Sequence, residues 1–270
     1  MNDLATFIVD SFTKEPFKGN PAGVCITEIK LDDGLMLSIA KELGLSETAF
    51  IFQNTPLEYD IRFFSPVMEI PLCGHATLAS AKVVFEQNPD LAILNFRNIQ
   101  NIDLTINKEQ EQITMKFPLY QTTASEAPIE LLNALKISTA KNIEYNKETN
   151  ILLIEIDSSK LLRQLRPDFE ALKKSHNSIN GVLVTSKSQE SEYDFESRYF
   201  WPWSGTNEDP VTGGTHTFLT PYWSKRLNKK KMKSFQCSKR TGQMEVEILD
   251  DEWFTIKSTA RVVFEGKLRI

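Results

Sequence analysis

The chain has 270 residues, 41% hydrophobic and 25% charged, a globular composition long enough for one large or two medium domains. A net charge of −5 and a pI near 5.4 exclude the broad cationic face that nucleic acid requires. Cys25, Cys73 and Cys237 make no even disulfide framework and no Cys-x-x-Cys zinc pair, and no run approaches the roughly 18 apolar residues of a membrane span. The opening Met1 to Asp10 places an acid where a secretory signal would be basic, so a cytoplasmic chain with no membrane partner is expected.

In chain order, short β-branched or aromatic runs bounded by turn residues predict strands at Ala5–Val9, Ala22–Thr27, Thr48–Gln53, Tyr59–Phe64, Leu94–Arg97, Asp103–Ile106 and Ile113–Phe117. Between them, Asp32-Asp33-Gly34 to Leu43 reads as a helix closed by Gly44, with Leu35, Ile39, Ala40 and Leu43 on its apolar face. His75 to Glu86 has apolar residues at helical spacing and reads as a buried helix. The polar stretch Gln121 to Pro128 marks a crossing into a second half. That half predicts strands at Ile151–Glu155, Gly181–Thr185, Tyr193–Phe200, Phe235–Ser238, Met244–Leu249, Phe254–Lys257 and Ala260–Phe264, and helices at Pro167–Lys174 and Thr215–Leu227. Pro221 is expected to disturb the last helix, and the basic run Lys229 to Lys233 to form a solvated loop.

One phrase occurs twice. Arg62-Phe63-Phe64-Ser65-Pro66 precedes Glu69-Ile70-Pro71-Leu72-Cys73-Gly74, and Arg198-Tyr199-Phe200-Trp201-Pro202 precedes Glu208-Asp209-Pro210-Val211-Thr212-Gly213. The spacing from Arg62 to Arg198 is 136 residues and from Glu69 to Glu208 is 139, so the second copy carries three extra residues inside Trp203–Asn207. Two copies so far apart are not a solenoid, whose repeats run roughly 20 to 50 residues. They predict two similar lobes, residues 1–120 and 121–270, with the last strands able to return to the first lobe.

Each copy leads into a helix start, where unpaired N–H groups and the dipole favour an anion. Gly74 and Ala76 in one copy, and Gly213, Gly214 and Thr215 in the other, are therefore candidate binders of a substrate carboxylate, alongside turn glycines that only shape the backbone. His75 and His216 both lie at these starts in a chain with three histidines. Glu47 stands between a helix stop and an apolar strand. It is either an exposed strand-edge acid or, facing a cleft beneath aromatic residues, a general acid and base whose pKa desolvation raises toward neutrality. Asp209 has Ile70 as its counterpart, and either orients the imidazole of His75 or starts a turn. Cys73 sits where a helix dipole favours thiolate, but its counterpart Thr212 is too weak an acid for a two-thiol racemase. Cys73 is accordingly read as a structural or substrate-wall residue.

These stretches, with Phe17-x-Gly19-Asn20-Pro21-Ala22-Gly23-Val24, Leu45-Ser46-Glu47-Thr48-Ala49-Phe50, Leu72-Cys73-Gly74-His75-Ala76-Thr77 and Gln236-Cys237-Ser238-Lys239-Arg240-x-Gly242, resemble the PhzF-like phenazine-biosynthesis isomerase family. The resemblance runs over nearly the whole chain. It implies an α+β fold like that of diaminopimelate epimerase and proline racemase, with two pseudo-symmetric lobes. Each lobe would be a curved, mostly antiparallel sheet around a central helix, with the site between them. It further implies a homodimer, a cofactor-independent isomerase without a metal, and Glu47 as the proton-transferring carboxylate assisted by His75 and Asp209. Cys73, Gly74, Ala76, Thr212, Gly213, Gly214 and Thr215 would then line the site of a small carboxylate-bearing, cyclic or unsaturated substrate. A binding module that has lost the chemistry is the alternative, and an amino-acid racemase or epimerase is disfavoured by Thr212.

Overall fold

The computed structural model describes residues 3–270, which divide into two compact units. The first comprises residues up to Lys116 together with Thr255–Ile270; the second is Phe117–Phe254. Each is a mixed, strand-dominated α+β arrangement with few helices.

In the first unit the elements are β1 (Asp3–Ser11), β2 (Asn20–Thr27), α1 (Asp33–Leu43), β3 (Thr48–Thr55), β4 (Glu58–Phe64), β5 (Glu69–Ile70), α2 (Gly74–Gln87), β6 (Ile93–Arg97), β7 (Asp103–Glu109) and β8 (Gln112–Pro118). The second unit continues with β9 (Thr123–Ala124), α3 (Ile129–Leu135), β10 (Asn142–Asn146), β11 (Ile151–Glu155), α4 (Ser159–Gln164), α5 (Phe169–Ser175), β12 (Gly181–Lys187), β13 (Phe195–Trp201), β14 (Thr206–Asp209), α6 (His216–Leu227), β15 (Lys231–Gln236) and β16 (Gly242–Ile248). Then β17 (Trp253–Ser258) runs through the second boundary, and β18 (Ala260–Arg269) pairs antiparallel with β1 in the first unit.

The duplication in sequence is a duplication in topology. In the first unit β2 and β3 are parallel, β3–β4 and β4–β5 antiparallel, β4 and β6 parallel, and β6–β7 antiparallel. The second unit repeats this succession with β11, β12, β13, β14, β15 and β16. The register repeats too. Phe63 opposes Ile70 and Phe64 opposes Glu69, as Tyr199 opposes Asp209 and Phe200 opposes Glu208.

That register explains the repeated Arg and Glu. Arg62 grips Glu69 with a two-bond fork, Nε to Oε1 at 2.7 Å and Nη2 to Oε2 at 2.6 Å. Arg198 grips Glu208 the same way at 2.7 and 2.8 Å. Each guanidinium also lies over the phenylalanine two residues on, Phe64 or Phe200. Planar forks of this kind fix geometry as well as charge, so each hairpin delivers the chain to the following helix along a set path.

Both of those helices are central. In α2 every residue from His75 to Phe85 except Lys82 is buried, and α2 packs on β1, β2, β3 and β18. Its polar side chains bond their own helix: Thr77 Oγ1 donates to the Cys73 carbonyl at 2.7 Å and Ser80 Oγ to Ala76 at 2.8 Å. In α6 the run His216 to Trp223 is wholly buried. Pro221 lacks the N–H that would reach the carbonyl of Thr217; that carbonyl instead accepts from the backbone N–H of Tyr120 at 2.9 Å, so the proline is accommodated without an orphaned acceptor.

His216 belongs to this core. Cysteine, glycine and helix start align Thr212 with Cys73, and hence His216 with Thr77. Its Nδ1 lies 3.0 Å from the Thr212 carbonyl, the bond that Thr77 makes in the first unit. Nδ1 must therefore be the donor, which leaves Nε2 to accept from Ser234 Oγ at 2.7 Å. Burial drives its pKa down to about 4 against those backbone carbonyls, so the ring is neutral.

Two expected elements differ. The basic run is only partly a loop: Lys229 and Lys230 lie in the connection after α6, but Lys231 and Lys233 project outward from β15 while Met232 and Ser234 are buried, a period-2 alternation that the charges concealed. The last strand extends to Arg269, five residues past the expected end, because pairing with β1 supplies its hydrogen bonds.

Two measurements follow from these contacts. Arg198, with only 8% of its side chain exposed, also donates to the carbonyls of Leu162 and Leu165, whereas the Arg62 side chain is 25% exposed. In chemical denaturation Arg198→Met is expected to cost about 3–5 kcal/mol and Arg62→Met about 1 kcal/mol. For His216 the unfolded ring binds a proton from about pH 6.5 downward and the folded ring only near pH 4, so its stabilisation is present above that window and lost as pH falls through it. Wild type should lose up to about 3 kcal/mol more than His216→Asn between pH 6.5 and 4.

Candidate functional site

Glu47 follows directly from how α1 ends. Asp32 caps the helix start by accepting from Leu35, and Gly44 closes it in the left-handed conformation at φ 63°, its N–H bonded to Ala40. Three residues later the Glu47 carbonyl accepts from Gly23 N–H at 3.0 Å, which holds the residue at the mouth of β3. Its side chain is 13% exposed. The alternative of an open strand-edge acid is thereby overturned.

The carboxylate meets His75, the second residue of α2. Glu47 Oε2 is 3.2 Å from His75 Nε2, with Ser46 Oγ 3.5 Å from the same nitrogen. On the other edge of the ring, Nδ1 lies 3.3 Å from Cys73 Sγ. The backbone of His75 is itself fixed, since its carbonyl accepts from Ser11 Oγ at 2.7 Å. Burial opposes charge on the imidazole, but the sulfur and the carboxylate flanking it outweigh that cost and raise its pKa well above 6.5. For Glu47 burial pushes upward, and hydrogen bonding and attraction from His75, with help from Ser46, pull harder and lower the pKa below 4.5. The expectation of a carboxyl raised toward neutrality is corrected here: desolvation acts as anticipated, but an imidazolium partner reverses its effect.

Glu47, Cys73 and His75 are three metal-type donors within 4.8 Å of one another. The carboxylate and the sulfur lie against opposite nitrogens of one ring, Oε2 by Nε2 and Sγ by Nδ1. The arrangement suits proton movement along carboxylate, imidazole and thiol.

α2 begins with no side-chain cap on its N-cap residue Cys73 and no acid in its first turn. The N–H groups of Gly74, His75 and Ala76 are therefore not capped by a side chain of their own helix start, and the nearest acid is Glu47 on the His75 ring. In the second unit the start of α6 is tighter: the N–H groups of His216 and Thr217 donate to Gly213 and Gly214. The N–H groups upstream, at Gly213, Gly214 and Thr215, are the corresponding donors there. Gly214 is exposed and a side chain added to it would meet nothing within 4 Å.

Asp209 ends β14 and is buried at 8% exposure. Thr212 Oγ1 donates to its Oδ2 in a short bond, and Gln236 ties the turn by donating from Nε2 to the Asp209 carbonyl at 2.8 Å and accepting from Thr212 N–H at 2.9 Å. Gln236 and Ser238, which donates to the Pro210 carbonyl, were visible in sequence only as part of a motif with no assigned task; the structure shows that they brace this turn. Tyr199, on the paired strand, has its phenol pKa raised by burial and by the Asp209 charge.

The two carboxylates are not symmetry mates. Register places Gly181 at the position of Glu47, and there Tyr199 leaves no room, since an added Cβ would come within 2.5 Å of its ring. Asp209 replaces Ile70. Of the expected residues, the fold brings Glu47, Cys73 and His75 together in the first unit, and Asp209, Thr212, Gly213 and Thr215 together in the second; His216 is a core residue.

Among the described residues no helix is long and apolar enough to cross a membrane. Comparison with known proteins gives a coherent picture. A protein of Halalkalibacterium halodurans named an uncharacterized isomerase is 40% identical over 95% of this chain and 96% of its own. The crystal structure of a phenazine biosynthesis protein of the PhzF family from Enterococcus faecalis superposes with a TM-score of 0.91 at 34% identity, covering all of both chains. A hydroxyproline epimerase from Agrobacterium vitis, 9% identical with a TM-score of 0.61 over 98% of this chain and 92% of that one, shares the fold. With the family described as phenazine biosynthesis-like protein (PhzC-PhzF) matching residues 9–267, this chain is a member of that family.

Proposed function

We propose that the chain is a cofactor-independent isomerase that moves a proton on a small carboxylate-bearing, cyclic or unsaturated molecule. The observation that carries this reading is the buried Glu47–His75 ion pair beside the uncapped start of α2. Membership of a family with relatives named isomerases, and a fold shared with epimerases, supports the reaction class.

The chemistry follows from charge. Each unit offers a carboxylate-binding helix start of its own: the N–H groups of Gly74 and Ala76 with Cys73 as a wall residue in the first, and those of Gly213, Gly214 and Thr215 with Thr212 in the second; the start beside Glu47 and His75 holds the substrate carboxylate. The ionised Glu47 takes a proton from carbon and becomes a neutral acid. The electron pair left behind is delocalised onto the unsaturated substrate, and the His75 imidazolium offsets the negative charge as it develops. Glu47 then returns the proton at a second carbon and is again a carboxylate, so no oxidant, reductant or co-reactant enters. Asp209, whose carboxylate is oriented by Thr212, is assigned the second polar assisting role. A homodimer is proposed on the family resemblance.

Glu47→Gln keeps the shape and removes the base. In D₂O with a panel of cyclic and unsaturated carboxylates, dihydro-hydroxyanthranilate included, wild type should exchange or isomerise a substrate. The variant should be slower by about 10² to 10⁴-fold with an unchanged circular dichroism spectrum. Equal exchange by the variant would sink the assignment.

The pH profile tests the pair separately. Activity should fall at low pH as Glu47 protonates below the usual carboxylate range, and at high pH as His75 deprotonates well above 6.5. Because the folded His75 pKa is raised and that of Glu47 lowered, the pair's contribution to stability is complete between about pH 4.5 and 6.5, and is lost as pH rises through the folded His75 value or falls through the folded Glu47 value. In kcat/KM measurements the alkaline limb should disappear in His75→Asn along with most of the rate.

A further inference from the structure

The two halves of the duplicated fold differ on the sheet face turned away from their central helices. In the second unit β11 and β12 are joined through two helices, and α4 lies on that face of β12 and β13. Leu162 and Leu165 pack there with Val184 and Phe200 in one apolar cluster. The backbone carbonyls of the same two leucines cap Arg198 Nη1 at 3.3 and 2.8 Å, and Arg163 pairs with the fully buried Glu196 at 2.6 Å.

In the first unit β2 and β3 are joined through α1 alone. Register makes Phe50 the counterpart of Val184, Arg62 of Arg198 and Asp60 of Glu196. α1 covers Phe50 and Phe64 at one end with Met36, Ile39 and Ala40. Where α4 lies in the second unit, the first has a cavity of about 400 Å³ whose apolar lining is Leu31, Met36, Phe50, Phe52 and Ile99. The polar positions persist. Lys30 takes the place of Arg163 on Asp60 at 3.0 Å and lies over the Phe52 ring, while Arg62 Nη1, without leucine carbonyls to cap it, reaches out to Asp33, whose side chain is 78% exposed.

We propose that this cavity is a binding site for a small, neutral, largely aromatic or aliphatic molecule bearing a carbonyl group. The second unit shows what chemistry fills the space: apolar side chains and carbonyl oxygens directed at the arginine. The volume is within the range of small-molecule sites. Lys30 is paired with Asp60, and Arg62 with both Glu69 and Asp33, so the lining has no positive surplus and an anion gains nothing from it; a neutral acceptor replaces Asp33 on Nη1 at little cost, that aspartate being already in solvent. All the lining residues belong to the first unit and none is part of the Glu47–His75 array, so the site stands independently of the proposed reaction.

2-Naphthamide is a suitable probe, followed by amide ¹H–¹⁵N shifts of the full chain. Saturable shifts are expected at Phe52, Arg62 and Ile99. They should persist in Glu47→Gln, weaken at least tenfold in Ile99→Glu, whose parent residue is 51% exposed and so tolerates the change, and be weaker for the anion 2-naphthoate. Absence of saturable shifts, equal affinity of Ile99→Glu, or shifts centred on α2 would overturn the proposal. A change of oligomeric state in Ile99→Glu by sedimentation, with no binding of the amide to wild type, would overturn it too and identify a second copy of the chain as what covers this face.

Discussion

The guanidinium–carboxylate fork in each hairpin is the constraint on which the rest of the structure depends. Arg62 with Glu69 and Arg198 with Glu208 tie the strand before each central helix to the short strand that leads into it. A fork fixes two directions at once, and the helix start that follows is therefore aimed by a charged contact at its root. The helices are buried on nearly all sides, which removes any amphipathic preference that could orient them. Orientation has to come from their ends, and the forks supply it.

Within that frame, identical backbone architecture is used for opposite electrostatic ends. His75 and His216 are both buried at the starts of central helices, yet one is charged and the other neutral. Burial disfavours the imidazolium in both. What decides the outcome is the partner: a carboxylate and a sulfur around His75, a carbonyl and a hydroxyl around His216. His216 repeats the helix-end bond of Thr77 and stabilises the fold; His75 holds a counterion. The same asymmetry appears in the acids, since Gly181 occupies the place of Glu47 and Ile70 the place of Asp209. A duplicated scaffold thus carries one set of chemical groups in each unit, at different depths along the repeat.

The covering of the outer faces shows the second kind of divergence. α4 and its leucines complete the second unit, and its Arg198 is enclosed; the first unit has the matching arginine and acid, with Phe50 and Phe52 where the second has Val184 and Ser186, but not the helix. Retained polar geometry without its cover is what distinguishes the first unit's cavity from an ordinary surface groove, and it is visible only because the other unit supplies the comparison.

Much of this was legible in the sequence. The strands from Ala5 to Phe64 and the buried helix after Gly74 show in alternation and helical spacing, because side-chain period is a local property of the chain. The repeated Arg and Glu revealed the duplication, and the glycine after Leu43 marked the stop that brings Glu47 to its strand. Short elements such as α3, α4 and β10 were not legible, since five to seven residues carry too little periodicity and are held by tertiary packing. The basic run hid a strand, because lysines on a solvent face look like a loop until the buried Met232 and Ser234 are seen between them. The identity of the candidate acid and histidine came from the residues and their resemblance to a family. Their protonation did not: a pKa is set by what lies within a few ångströms, and residues 47, 73 and 75, like 199 and 209, become neighbours only when the strands register and the helix start is fixed in place.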